Sequence, residues 1–453
     1  MLEKIKTLFR DKDFIELFQK GGISLFMRVL SQVMGFVFTL MIAKYFGAKG
    51  LGDYVLAIIV LRVFSLLAKL GIDVASIRYI AGFAIKNRWS AIKLYRKKIL
   101  SLLICTSLIA SFVMYFFAEY IAKAVGAKPE YIMLNSFFVL PMVLFMLNYQ
   151  SMRGLKKIKE FSFFYWLSRI LFSVIILAVA VQFTRNVNIP ILSFLLSLVV
   201  VFVLSYIVYN QIFNQIKKSN SIANDLGDKI QLKAILFVSL PLLFAQSSQF
   251  LMSWTDRLML GGMTSSYEVG IYDVAFKLSM FVNIALTAVT SISSPKFAEL
   301  YEKKDFNRLE KVVHQSTKLI FWSSIPLLVL FTVVSIFILD LFGDDFYNGI
   351  YALVILCTAR LFSVFTGPAG NLLQMTGNQL TYMNVLFLGA AINIVLNYVF
   401  IQPENPFSHL GIHGINGAAF ASFISIIFWN LTMVYYVKRK FGFFTIYFPF
   451  LKK

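Results

Sequence analysis

IPILSFLLSLVVVFVLSYIVYNQIF, residues 189–213, runs twenty-five residues without a charge, and NQIKKSNSIANDLGDKIQLK, residues 214–233, follows it. About twenty apolar residues span the hydrocarbon core of a bilayer as a helix, so the first stretch reads as a membrane span. The second reads as a basic polar linker. The same alternation fills the rest of the chain. Towards the N-terminus, apolar runs fall at about 22–46, 55–81, 99–122, 131–152 and 163–184, and beyond the linker at about 234–260, 269–295, 314–339, 349–376, 380–402 and 412–437. With 189–213 these make twelve expected spans, six on each side of the linker, and an all-α polytopic membrane fold. The expected domains are an N-terminal lobe over 1–213, a linker over 214–233 and a C-terminal lobe over 234–453.

Composition agrees. Of 453 residues, 59% are hydrophobic and 14% charged, against about 25% charged in soluble domains. That leaves too little polar surface for a water-facing globule. The first apolar run is too long for a signal-peptide core and is expected to remain as a span. Cys105 and Cys357 sit in separate apolar runs, which argues against a disulfide framework or a Cys-based metal site. His409 and His413 have metal-like spacing but no acidic or cysteine partner nearby, and no phosphate-binding glycine loop or HExxH is present. No cofactor or resident metal is expected.

The net charge of +21 invites a nucleic-acid reading until the cations are located. They crowd alternate loops: Lys4, Lys6, Arg10, Lys12 and Lys20, then Lys86 to Lys98, Arg153 to Lys159, the linker, Lys296 to Lys318, and Lys438 to Lys440 with Lys452 and Lys453. The other side carries only Lys44, Lys49, Lys123, Lys128 and Arg185. Under the positive-inside rule both termini are expected in the cytoplasm of a cell (inner or plasma) membrane protein. Nucleic acid is not an expected partner.

The halves echo each other. Phe46-Gly47, then Gly52-Asp53-Tyr54 and Ala57, is matched by Leu260-Gly261, then Gly270-Ile271-Tyr272 and Ala275. Gln150-Ser-Met-Arg153-Gly154 is matched by Gln374-Met-Thr-Gly377. Two repeats of even span number enter the membrane the same way round, the architecture of carriers with a central cavity.

Charges inside the spans are the candidate functional residues. Arg28, Arg62, Lys69, Arg78, Arg169, Arg257, Lys277 and Arg360 face only Asp73, Asp256 and Asp273, with Glu119 near an outer end. Each such charge costs about 2.5–3.5 kcal/mol at the bilayer centre on insertion scales, so eight cations cannot all face lipid. Helical phase sorts them. Arg62, Ser65, Lys69, Asp73 and Ser76 form one stripe of span two; Ser24, Arg28, Ser31 and Gly35 one of span one. Gln246, Gln249, Ser253 and Asp256 line span seven, and Arg360, Ser363, Gly367 and Gln374 span ten. Converging stripes predict a central cationic cavity, with Arg28, Arg62 and Arg360 as its principal candidates and Lys69, Arg169 and Lys277 beside them. Lys69 with Asp73, and Lys277 with Asp273, are i, i+4 pairs that also allow simple neutralisation. Arg78 and Arg257 lie near span ends, where snorkelling to the headgroups is the better account. Excess arginine favours an anionic cargo, phosphate above all, because guanidinium binds it bidentately. The acids Asp73, Asp256 and Asp273 are candidates for coupling to H+ or Na+.

Three runs carry a family resemblance: Leu70-Gly71-Ile72-Asp73 through Ile77-Arg78-Tyr79; Arg153-Gly154; and Asp256-Arg257-Leu258-Met259-Leu260-Gly261 leading to Glu268-Val269-Gly270-Ile271-Tyr272. They resemble the polysaccharide-transporter branch of the multidrug, oligosaccharidyl-lipid and polysaccharide flippase superfamily, along nearly the whole chain. The resemblance implies two six-helix lobes of the multidrug-extruder (MATE-like) fold. It also implies a flippase that moves an undecaprenyl-pyrophosphate-linked oligosaccharide from the cytoplasmic to the outer leaflet as a monomeric unit, working with polysaccharide polymerase machinery. Related lipid II flippases carry functional arginines on helices one, two and eight, and Arg28, Arg62 and Lys277 occupy those helices here. Lys277 departs from arginine, and two extra helices of those flippases are missing, which points to an O-antigen or other polysaccharide repeat as cargo. The rivals are a multidrug exporter of the same superfamily and a membrane polysaccharide polymerase or glycosyltransferase. Short outer loops argue against the enzymes.

Overall fold

A computed structural model describes residues 12–219 and 231–447, and every regular element in them is helical. Lys4, Lys6, Arg10, Lys229, Lys452, Lys453 and the middle of the expected linker lie outside the described residues. Among the described residues, eight helices are by length and composition apolar enough to cross a membrane, or up to ten if two bent pairs count as one span each. The expected runs all fall on helices, but several are broken in ways hydropathy does not register.

The first helix, Lys12–Ala68, contains the first expected span and the greater part of the second, joined at Gly47, whose φ of 67° and ψ of −176° interrupt it. That backbone conformation excludes residues with a side chain at ordinary cost. The second expected span is itself broken: the helix stops at Ala68 and restarts as Ile72–Ile85, with Leu70 and Gly71 at positive φ between them. Pro129–Ser136 and Val139–Gly154 meet at a 52° bend, and Ser266–Met280 and Asn283–Glu302 at 46°. Pro141 stands in the first turn of its helix, where no intrahelical N–H is needed. Pro326 stays inside Phe306–Val333. Pro368 follows Gly367, at φ 67°, and ends Ile350–Thr366 before the short Ala369–Met375. Polar side chains supply starts where the chain re-enters helix: Ser265 accepts from the Glu268 amide, an S-x-x-E capping pattern, and Asp305 accepts from the Arg308 amide at 3.1 Å.

The chain gathers into two compact units. One combines the first helix up to Met41 with Ala57–Ala122 and Lys128–Gln246; the other combines Ile42–Leu56 and Lys123–Ala127 with everything from Ser247 onward. The boundary therefore differs from a cut at the linker in two respects. Helix Leu232–Met263 contributes its first part to one unit and its second to the other. Two short segments of the N-terminal half belong with the C-terminal helices, and their glycines show why. A Cβ on Gly52 would collide with the Ser266 carbonyl, one on Gly270 with that of Ala48, and one on Gly126 with that of Gly261. Gly52 and Gly270, matched positions of the internal echo, thus pack backbone against backbone.

Candidate functional site

In the first unit, cations gather around an aromatic cluster. Helix Ile158–Ser162 passes into a π-helical run, Phe163–Ser168, and then into Arg169–Phe183; such widened turns often mark functional positions. From this run the Trp166 carbonyl accepts from Ser31 Oγ at 2.7 Å, and the Trp166 ring lies 4.8 Å under the Arg28 guanidinium. Tyr165 stacks on Phe161 at 5.2 Å and meets Tyr149 edge-on at 5.3 Å. Arg62, Arg169 and Asp73 are the charges whose fields reach the buried Tyr149, and Arg169 also lies over Phe194 at 5.4 Å. Arg28, Arg62 and Arg169 are all half-buried. Sequence stripes had put Arg28 and Arg62 on cavity faces of separate helices. Here they share one neighbourhood with Arg169, walled by rings that favour cations electrostatically.

Lys69 and Asp73 form a buried ion pair at 2.8 Å despite the helix break between them, and Lys69 also donates to Gln246 Oε1. The pair is neutralised where it stands. Arg78 is exposed, as a snorkelling side chain is.

The second unit holds a different arrangement. Arg257 does not snorkel: it is 2% exposed, so the reading from its place in the sequence is corrected. Its Nε donates to Asp273 Oδ1 at 2.6 Å and its Nη1 to the Ser253 carbonyl at 2.7 Å, with Phe276 and Trp254 over the guanidinium at 4.1 and 4.8 Å. Asp273 also binds Lys277 at 2.6 Å, so one buried carboxylate serves two cations. Arg360, 7% exposed, lies in the same region, 5.2 Å from the Phe276 ring and within electrostatic reach of Asp256.

Asp256, one residue before Arg257 and on another face of the helix, is 3% exposed and has no cation bonded to it among the described contacts. It is caged by neutral donors: Tyr272 Oη at 2.6 Å and Ser422 Oγ at 2.5 Å on Oδ2, and Asn397 Nδ2 at 2.8 Å on Oδ1. Asn397 Nδ2 also donates to Asn393 Oδ1 at 3.0 Å, while Asn397 Oδ1 makes no hydrogen bond. Donors from three other helices therefore converge on one buried carboxylate and satisfy it by hydrogen bonds instead of by a bonded cation. Tyr272, Asn393, Asn397 and Ser422 were absent from the sequence-derived candidates. A usable signal existed in the i, i+4 asparagines of an apolar helix and in the Tyr272 of the internal echo. Among the described residues, no group of three or more His, Cys, Asp or Glu side chains is placed to hold a metal ion.

Many long apolar helices with arginines and carboxylates buried among them define a multi-pass membrane protein. The profile of the polysaccharide biosynthesis protein family matches residues 17–301, more than half of the chain, and a MatE profile matches residues 241–399. The chain belongs to the polysaccharide biosynthesis protein family, within the flippase superfamily its motifs resemble. The probable flippase AglR of Haloferax volcanii is 26% identical over 188 residues, a match spanning 40% of this chain and 37% of AglR. Two solved structures share the fold. An inward-facing multidrug resistance MATE family transporter superposes with a TM-score of 0.71 at 13% identity, over 93% of this chain and 98% of its own. The lipid II flippase MurJ superposes with a TM-score of 0.70 at 15% identity, over 91% and 87%.

Proposed function

We propose that this protein carries a polyprenyl-pyrophosphate-linked oligosaccharide from the cytoplasmic to the outer leaflet of the plasma membrane by alternating access, with both termini in the cytoplasm. The sequence reading makes the polyprenol undecaprenol and the glycan an O-antigen-type or other polysaccharide repeat unit. A monomer acting beside polysaccharide polymerase machinery is part of the same proposal. The observation that carries it is the gathering of Arg28, Arg62 and Arg169 around Tyr149, Tyr165 and Trp166. Guanidinium groups clasp pyrophosphate oxygens bidentately. Aromatic faces beside them are suited to the apolar faces of sugar rings.

The test is transbilayer movement of a fluorescent lipid-pyrophosphate oligosaccharide in liposomes containing the purified chain. Losing a hydrogen bond to a charged group costs about 1.5–3 kcal/mol, so Arg28→Ala and Arg62→Ala are each expected to slow flipping about ten- to a hundredfold. Arg28→Lys should restore only part of the rate, since an ammonium lacks the bidentate fork. Undiminished flipping by both alanine variants would overturn the proposal. The MatE match at residues 241–399 supports a second reading, export of a small solute. Export of a cationic dye by a chain that leaves the lipid unmoved would favour it.

Coupling to H+ or Na+ is assigned within this proposal to Asp256, a buried carboxylate held by neutral donors, whereas Asp73 and Asp273 are each bonded to cations. Asp256→Asn keeps the shape and most hydrogen bonds while removing the exchangeable charge. Its flipping rate should stop responding to imposed proton and sodium gradients that accelerate the wild type. A variant that still follows either gradient places the coupling elsewhere, with Asp73 and Asp273 the remaining candidates.

A further inference from the structure

Each unit carries a groove at the lysine-rich ends of its helices, lined by none of the charged residues of the candidate site. In the first, Trp89–Phe116 and Ile189–Ser219 enclose about 620 Å³ lined by Lys93, Arg96, Lys97, Tyr209, Phe213 and Ile104. In the second, Phe306–Val333 and the end of Gly414–Phe441 enclose about 890 Å³ lined by Lys311, His314, Lys318, Lys438, Phe444 and Tyr447. The helices that form them carry the third and sixth expected spans of the first half and the third and sixth of the second. The grooves occupy equivalent places in the repeat.

Three features of the first groove describe its ligand. Arg96 is built in rather than draped over the surface: its guanidinium lies 3.5 Å over the Tyr209 ring, Nη2 donates to Asn148 at 2.6 Å, and Nη1 makes no hydrogen bond. Lys93 and Lys97 stand exposed beside it, with no acid in the lining. Beyond the cations, Ile104, Leu108 and Phe112 continue along one face of the same helix at 39, 55 and 61% exposure, an apolar track leading away from the charged end. The second groove repeats the plan with Lys311 and Lys318 at i, i+7, then Leu319 and Trp322 exposed beyond them. Its Glu310 is turned to His314 at 4.0 Å.

We propose that both grooves bind anionic phospholipids of the leaflet at the basic end, the phosphate between the lysines and an acyl chain along the exposed apolar face. Cations stacked at a helix pair above an apolar track match a lipid headgroup and tail together. A soluble phosphate would leave the track empty.

Native mass spectrometry of the full chain, purified in detergent and supplied with phosphatidylglycerol or phosphatidylcholine, tests this independently of transport. The wild type should retain up to two phosphatidylglycerols per chain and discard phosphatidylcholine. Lys93→Gln with Lys97→Gln should lose one of the two, and Lys311→Gln with Lys318→Gln the other. At about 1 kcal/mol per lysine near an anionic surface, each pair should weaken retention roughly ten- to thirtyfold. All four are exposed side chains, so the fold is untouched. Equal retention of both lipids by the wild type, or unchanged phosphatidylglycerol in the fourfold variant, would overturn the proposal. Displacement of the bound lipid by inorganic pyrophosphate or by glycan-free polyprenyl pyrophosphate would overturn it too, by assigning the grooves to free phosphate or to cargo.

Discussion

Asp273→Ala is expected to lower the stability of the purified protein by about 3–5 kcal/mol, the cost of leaving a buried ion without its counter-ion. Asp273 is fully buried and binds Arg257 and Lys277, each at 2.6 Å. The two cations differ in what they do when it is gone. Lys277 is 37% exposed at its side chain and can turn towards solvent or headgroups. Arg257, 2% exposed and hemmed by Phe276 and Trp254, cannot leave, and would retain only the Ser253 carbonyl. Lys277→Ala should therefore cost far less, within the range of about 0–1 kcal/mol typical of accessible pairs. Replacing both members, Arg257→Met with Asp273→Leu, removes the stranded charge and should recover much of the loss. Thermal melting of the four proteins in one detergent checks the ordering. If Asp273→Ala melts with the wild type, or the double variant is as unstable as the single, the pair does not carry the energy assigned to it.

The second large effect is steric. Gly52→Ala and Gly270→Ala each place a methyl group against a carbonyl of a facing helix, Ser266 in one case and Ala48 in the other. Both neighbours are main chain, so no side chain can rotate aside, and the helices must separate. Overpacking of this kind costs about 1–3 kcal/mol and sometimes more; with backbone on both sides, about 3 kcal/mol is expected at either position. Gly82 is the control. It lies in helix Ile72–Ile85 with nothing within 4 Å of an added Cβ, so Gly82→Ala should stabilise by about 0.5–1 kcal/mol through helix propensity alone. Melting points that move the same way in all three variants would discard the close-packing account.

Apolar run length places helices well because it needs only local information, and the runs of this chain do lie on helices. It is blind to a joint such as Gly47, which preserves hydropathy while turning the backbone, and to the breaks at Leu70-Gly71 and Gly367. Helical phase likewise reports neighbours on the same helix. It paired Lys69 with Asp73 and Lys277 with Asp273, and the structure has both pairs. Arg257 was misplaced because its distance to a span end was measured along its own helix, while the group that holds it inside is sixteen residues on, in the next helix. Asp256 has bonded partners 16, 141 and 166 residues away; only packing brings those together. The aromatic surroundings of Arg28, Arg62 and Arg169 were hidden for the same reason, since Tyr149 and Trp166 read in sequence as ordinary apolar filling.

The close approach of Gly52 to Gly270 also sets an order of assembly. The segment around Gly52 is made early, yet the backbone it packs against follows more than two hundred residues later, about 10–40 s at ordinary translation speeds of 5–20 residues per second. Through that interval the glycine surface at Gly52 has not yet met the backbone that covers it in the folded protein. Biogenesis of this protein thus has a waiting period built into its chain order, and an insertion chaperone or translational pause acting between those two points would find its substrate there.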